Sequence, residues 1–250
     1  MSQATPQTID FGFQRVDVLD KTAKVQDIFH RVAGNYDVMN TVMSLGTHHV
    51  WKDILERDIP VVDGGIYVDV AGGTGDVAFN IHKKLASKGA KAEIFVCDMN
   101  TSMMEEGRKK EHESDVGWLC GDAAALALPD RSVDVYTISF GLRNVTHYEG
   151  ALREAHRALK FGGVYYCLEF SRVDLPLLKG VYDFHSFKLI PWLGALIADD
   201  KDAYVYLVES IRQFPSQHKM VGLLEKVGFM SVEAIPLFGG IATLYKAWKS

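Results

Sequence analysis

Two hydrophobic rhythms alternate along the chain. Short apolar runs rich in β-branched and aromatic residues recur near 66–70, 92–97, 115–120, 133–139, 163–170, 229–235 and 240–248. Between them, apolar residues recur every three or four positions near 75–87, 100–112, 147–159, 201–212 and 216–227. The runs predict strands buried on both faces, and the wider spacing predicts amphipathic helices. Their alternation predicts an α/β fold, a parallel sheet covered by helices on both sides. The last two strands follow one another across Pro236 and Gly239-Gly240, so they pair as a hairpin with one antiparallel edge. The chain then divides into an N-terminal arm and helical lid over 1–60 and an α/β domain over 61–250.

Ahead of the first strand the pattern is less regular. Residues 1–20 read as an arm anchored by Phe11 and Phe13, and Val25, Ile28, Phe29 and Val32 predict a helix over 24–33. The stretch 35–51 mixes methionines, aromatics and histidines. It reads either as two short helices packing Met39, Met43, Leu45, Val50 and Trp51, or as a lid that shuts a site from water. The alternation breaks again at about 172–200, an insertion too apolar for a free loop. It is a helical core piece, a subunit interface in a homodimer, or a wall for an apolar substrate.

Composition narrows the class. With 250 residues, 48% of them hydrophobic, the chain can bury a sizeable core. A net charge of −5 and scattered basic residues argue against nucleic acid as the main partner. Cys97, Cys120 and Cys167 all fall in strand-like runs, which implies a reducing compartment, no disulfide and no metal-ligand spacing. Met1 to Asp10 has no basic residue and resembles neither a signal nor a transit peptide. The longest uncharged apolar stretch, Leu189 to Ala198, is too short to span a bilayer and contains Pro191.

The candidate chemistry gathers at the strand ends. Ile66 to Val70 runs into Ala71-Gly72-Gly73-Thr74-Gly75-Asp76, and Val77, Ala78, Ile81 and Leu85 then recur at helical spacing. A strand, a glycine turn and a helix N-terminus form a nucleotide-type site at the carboxyl end of a parallel strand. The next strand ends in Asp98, 23 residues after Gly75, where an acid can accept the hydroxyls of a ribose. These features suit NAD and S-adenosylmethionine alike. Asp69 inside the first strand, able to organise the loop or meet a ligand ammonium, and Asp122 after the third, able to face an adenine amino group, favour S-adenosylmethionine. The fourth strand runs into Phe140-Gly141-Leu142-Arg143-Asn144, which places Arg143 and Asn144 at the crevice.

Those residues also carry a resemblance. Tyr36, Asp37, Met39, Asn40, Ser44, His48 and Trp51 fit the first signature of the ubiquinone/menaquinone biosynthesis C-methyltransferases. Ala71 to Asp76 and Ser139 to Val145 resemble the same family, and so do Gly162, Gly163, Glu169 and Ser171, while Ala158 and Phe161 depart from its second signature. The resemblance runs from about Phe11 onward, and Phe11-Gly12-Phe13 looks like the eukaryotic branch. It implies a class I S-adenosylmethionine-dependent methyltransferase fold, Rossmann-like, with strand order 3-2-1-4-5-7-6 and strand 7 antiparallel. It implies methyl transfer to the ring carbon of a polyprenyl quinol, with a demethylmenaquinol or a non-catalytic subunit of a quinone-synthesis complex as alternatives. It further implies a mitochondrial protein, peripheral to the matrix face of the inner membrane and working with other quinone-biosynthesis enzymes. Carried over residue by residue, its cofactor positions are Thr74, Asp98, Asp122, Ala123 and Ser139, beside Asp69, Gly72, Gly73 and Gly75. For the chemistry, Arg143 is expected to hold a developing phenolate, with Asn144 as orienter and Tyr36 as a proton acceptor or water holder.

Overall fold

The computed structural model describes residues 8–35, 40–41, 44, 46–110, 115–171 and 201–250. The expected lid residues Tyr36, Asp37, Met39, Met43 and Leu45, and the insertion 172–200, lie outside them.

A seven-stranded sheet forms the centre. Its strands are β3 (Gly65–Val70), β4 (Ala92–Asp98), β5 (Val116–Cys120), β6 (Val133–Ser139), β7 (Leu159–Phe170), β8 (Met230–Leu237) and β9 (Ala242–Trp248). Their order is β5-β4-β3-β6-β7-β9-β8, and only β9 runs antiparallel to its neighbours β7 and β8. Numbered from β3, this is the expected order 3-2-1-4-5-7-6. A separate hairpin, β1 (Thr8–Phe11) and β2 (Gln14–Asp17), precedes the sheet.

Period-two alternation sends the side chains of each strand to two apolar layers. Tyr67, Ile94, Val96 and Val135 enter one layer with Val25 of α1 (Val18–Val32), Trp51 and Leu55 of α2 (Thr47–Asp58), and Ile81 of α3 (Asp76–Ser87). Val68, Cys97, Tyr136 and Ile138 enter the other with Leu152 of α5 (Tyr148–Ala158) and Leu224 of α7 (Gln217–Val227). Helices α4 (Thr101–Lys110) and α6 (Lys201–Gln213) complete the cover. Asp69 and Thr137 share the parity of Tyr67 and Val135, so these polar residues face the layer of α2 and α3.

Several expectations change. The first helix begins at Val18, six residues earlier than expected, because the Asp17 carboxylate accepts the Leu19 N–H at 2.9 Å and caps it. Phe11 is an anchor, stacked on Tyr206 at 4.4 Å; the Phe13 ring is exposed, and its N–H donates to Glu209. Val50 is exposed on the outer face of α2, whereas Trp51 is fully buried. β7 starts at Leu159 because Leu159 pairs with Val133; an irregularity follows, with Gly162 at φ +79°, before pairing resumes at Val164. β8 continues through Pro236, which an edge strand tolerates. Cys97 and Cys167 are buried, but Cys120 is exposed at the end of the edge strand β5.

Candidate functional site

The strands β3 and β6 are neighbours at the point where the sheet order reverses, and each ends in a strained residue. Ala71 has φ +50° and Phe140 has φ +56°, in the left-handed region that costs a non-glycine residue about 1–3 kcal/mol. The two loops also pack closely: a Cβ added to Gly141 would lie 2.5 Å from the Ala71 Cβ. Between these loops and the ends of β4 and β5 opens a cavity of about 270 Å³.

Asp98 sits in its wall with its carboxylate fixed by the backbone. One oxygen accepts the Gly73 N–H at 2.8 Å and the other accepts the Asn100 N–H at 2.7 Å. Burial nevertheless raises its pKa, against these bonds. The carboxylate keeps acceptor capacity beyond these backbone bonds, so it can still receive a ligand hydroxyl. Asp122 accepts the Ala124 N–H at 2.8 Å, a turn that lays Ala123 and Ala124 along the cavity. The glycine loop fits close approach. Gly73 and Gly75 hold φ +56° and +80°, and a Cβ on Gly72 would come within 2.7 Å of Asp69 Oδ2. These residues fit an adenosine ligand: a ribose acceptor, a glycine-lined floor and an apolar wall in one cavity.

The roof is α1, which contributes Val18, Leu19, Thr22, Val25, Gln26 and Phe29. Polar contacts hold it at three levels. Thr22 meets Thr146 at 2.8 Å, Asn100 donates to the Gln26 carbonyl at 3.2 Å, and His30 Nδ1 meets Ser102 at 2.7 Å. Sequence reasoning gave this helix no part in the site; the expected lid, at 36–51, lies partly outside the described residues.

A second, smaller cavity of about 20 Å³ lies behind the glycine loop, and Ala71 and Phe140 line both. Asn40, Lys52, Asp69, Thr74, Asp76 and Ser139 supply its polar wall. Asp69 accepts the Thr137 hydroxyl at 2.8 Å, and burial raises its pKa to about 7. Ser139 Oγ is buried without a hydrogen-bond partner among the described residues. The carried-over cofactor positions are thus split, with Asp98, Asp122 and Ala123 in the large cavity and Thr74 and Ser139 in the small one.

Of the expected catalytic residues, Asn144 lines the large cavity, with Oδ1 accepting from Tyr206 at 3.2 Å and Nδ2 donating to the Phe140 carbonyl at 3.4 Å. Arg143 lies behind that wall. Its guanidinium is buried, pairs with Glu169 at 2.7 Å and donates to the Phe140 carbonyl. Burial raises the Glu169 carboxyl, against the pull of Arg143 and two backbone N–H groups. Tyr36 lies outside the described residues. His48 is buried against Ser44 at 2.8 Å, and His147 lines the large cavity. Sequence reasoning assigned no role to Glu169, Tyr206 or Lys52. Glu169 carried a signal, an acid inside the apolar run Tyr165 to Phe170, as Asp69 is in its own strand. Among the described residues no cluster of three or more His, Cys, Asp or Glu side chains could hold a metal ion.

Known proteins match this chain along its length. A family model described as the ubiE/COQ5 methyltransferase family matches residues 17–249. The mitochondrial 2-methoxy-6-polyprenyl-1,4-benzoquinol methylase of Oryza sativa subsp. japonica is 44% identical, over 96% of this chain and 87% of that protein. A ubiquinone/menaquinone biosynthesis C-methyltransferase of Bradyrhizobium sp. is 46% identical, over 98% of each. Among solved structures, a possible histamine N-methyltransferase of Thermotoga maritima superposes with a TM-score of 0.61 at 22% identity, covering 90% of this chain and 100% of its own. Human N-acetylserotonin methyltransferase, solved in complex with S-adenosylmethionine, gives a TM-score of 0.61 at 18% identity, over 89% of this chain and 58% of its own. At these identities the solved structures speak to the fold alone.

Proposed function

Because the chain belongs to the ubiE/COQ5 methyltransferase family, we propose that it methylates a ring carbon of a 2-methoxy-6-polyprenyl-1,4-benzoquinol. It is an S-adenosylmethionine-dependent C-methyltransferase of ubiquinone/menaquinone biosynthesis. The choice of a benzoquinol is supported by its plant relatives, which carry that name. The observation that carries the cofactor half of the reading is Asp98, pinned by Gly73 and Asn100 in the wall of the large cavity.

S-adenosylmethionine, when bound, supplies an electrophilic methyl carbon. The chain's own groups do the rest. Asp98 accepts the ribose hydroxyls, Asp122 and Ala123 meet the adenine, and Gly72, Gly73 and Gly75 allow the close approach. Asp69, Thr74 and Ser139 face the other end of the cofactor. The acceptor carbon becomes nucleophilic when a neighbouring hydroxyl loses its proton. A free phenol keeps that proton to about pH 10, so the site must favour the phenolate. We assign that oxygen to Asn144, which lines the cavity, and, from the family resemblance, to Tyr36. Arg143 sets the Phe140 carbonyl and adds positive charge from behind. The roof α1 excludes water, and alignment in a dry cavity supplies effective molarities of about 10⁵–10⁸ M.

We place the enzyme at the matrix face of the inner mitochondrial membrane, as a peripheral partner of other quinone-biosynthesis enzymes. Its plant relatives are named mitochondrial, and among the described residues no helix is long and apolar enough to cross a membrane. The deciding experiment offers short-chain demethyl-benzoquinol and demethyl-naphthoquinol with S-adenosylmethionine. Methylation of the benzoquinol is expected. Methylation of the naphthoquinol alone would move the enzyme to menaquinone synthesis. Turnover of neither, with cofactor still bound, would favour a non-catalytic subunit.

A further inference from the structure

The small cavity contains more charge than the glycine loop needs. Asp76, the first residue of α3, is approached by three donors: Lys52 Nζ at 3.1 Å, Thr74 Oγ1 at 3.2 Å and Lys110 Nζ at 3.5 Å. Burial works against its charge, yet the two lysines together outweigh burial and hold its pKa below the usual range. Lys52 and Lys110 differ in where they reside. The Lys52 side chain is 10% exposed and that of Lys110 is 39% exposed. Among the described residues that line the small cavity, Lys52 is the one cation.

We infer that Lys52 takes the α-carboxylate of the cofactor's amino-acid end, exchanging Asp76 for the ligand when the site fills. The inference rests on S-adenosylmethionine occupying the large cavity. Ala71 and Phe140 line both cavities, so a ligand with its ribose at Asp98 that passes between them enters the small one. There an α-amino acid finds groups suited to both of its charges. Asp69 and the unpartnered Ser139 Oγ accept from the ammonium, and Lys52 donates to the carboxylate. A volume of about 20 Å³ accommodates little more than a water molecule. Room for the carboxylate therefore comes from movement of a side chain in the wall, and Lys52 has the flexible four-carbon stem to supply it. The exchange leaves no buried charge unanswered, because Asp76 keeps Lys110 and Thr74. It also explains why the helix that carries the end of the signature has a nearly buried lysine directly after Trp51: α2 links cofactor binding to the N-terminal segment.

The test compares Lys52→Gln with the wild type by calorimetry on three ligands: S-adenosylmethionine, its decarboxylated form, and 5′-methylthioadenosine, which lacks the amino-acid end. A charge-assisted contact of this kind supports about a tenfold or greater difference in affinity. Lys52→Gln should lose at least about tenfold for S-adenosylmethionine and stay within about twofold for the other two. The wild type should lose a similar factor on decarboxylation of the ligand. Equal losses for all three ligands, or no loss for S-adenosylmethionine, would overturn the assignment while leaving the cofactor reading intact. A wild type that binds neither S-adenosylmethionine nor 5′-methylthioadenosine would overturn the cofactor reading and this inference with it. Should Lys52→Gln not fold, Asp76→Asn serves instead. Removing the Asp76 charge that competes for Lys52 should tighten S-adenosylmethionine relative to 5′-methylthioadenosine, and a weakening of that ratio would refute the exchange.

Discussion

Asp69 should make the protein less stable as pH rises through the mildly acidic range, and Asp69→Asn should remove that loss. Its carboxyl is 2% exposed. Thr137 offers it one hydroxyl at 2.8 Å. Burial raises its pKa to about 7, the Thr137 bond and Lys52 pull the other way, and Asp98 and Asp76 reinforce the rise. An aspartate in the unfolded chain titrates near 3.9. Between about pH 4 and pH 7 the native state therefore holds a proton that the unfolded state has released. The native state binds more protons, so unfolding free energy falls as pH rises and levels off above about 7. At roughly 1.4 kcal/mol per pKa unit, this group alone removes about 4 kcal/mol across the whole window and about 2–3 kcal/mol between pH 5 and pH 8. Asparagine keeps the shape and an acceptor for Thr137 but does not titrate. Urea unfolding of both proteins without ligand, at pH 5, 6, 7 and 8, should show Asp69→Asn gaining on the wild type by about 2–3 kcal/mol. A stability difference that stays flat with pH, or shrinks as pH rises, would refute the argument and mean that Asp69 is already ionised in the empty site.

Three further outcomes can be measured directly. Asp98→Ala should weaken S-adenosylmethionine binding at least about tenfold by calorimetry, since losing a charge-assisted contact costs roughly 1.5–3 kcal/mol; unchanged affinity would remove Asp98 from the ribose site. Gly141→Ala should lower stability by about 1–3 kcal/mol and weaken the cofactor as well, because its Cβ would press 2.5 Å from that of Ala71 and part the two loops; normal melting with normal affinity would show that the loops part freely. Arg143→Met should destabilise by about 3–5 kcal/mol by stranding Glu169, and adding Glu169→Gln should recover much of that. If the double variant regains stability but its kcat stays about 10²-fold down, Arg143 acts on the chemistry as well as on the fold; full recovery of kcat would make it a tether only.

The legible features were those in which one residue broke a local rhythm. An acid inside an apolar run marked Asp69, three glycines in four positions marked the loop, and an acid closing a strand marked Asp98 and Asp122. The alternation of rhythms was enough to read a parallel sheet ending in an antiparallel hairpin, while the order of its strands came from the family resemblance. What the sequence hid was partnership across distance. Arg143 read as a crevice cation because nothing near it in the chain shows that Glu169, 26 residues on, claims its guanidinium. Lys52 drew no reading from the sequence, because Asp76 lies 24 residues away. The part of α1 in the site was hidden for a related reason: α1 spends one face on the cavity, where Thr22 and Gln26 are in place, and a polar residue lining a cavity looks in sequence like one facing water.

Those hidden partnerships share a geometry. β6 is the strand whose loop carries Phe140 to Asn144, and polar side chains grip its carboxyl end from both neighbouring strands. From β3, Asp69 accepts the Thr137 hydroxyl; from β7, Glu169 pairs with Arg143 just beyond the strand. The two grips differ in kind. A guanidinium answers Glu169 and also donates to the Phe140 carbonyl, so that side fixes the strained backbone at Phe140. At Asp69 burial outweighs the Thr137 hydroxyl and the charge of Lys52, so its carboxyl stays protonatable near neutral pH. A cationic ligand group arriving beside Asp69 would favour the carboxylate and withdraw the stability penalty that the empty site carries. The loop at the end of β6 is thus fixed on the side of β7 and responsive on the side of β3, where the small cavity lies. An enzyme that must hold an acceptor ring rigidly while it exchanges cofactor between turnovers requires that asymmetry.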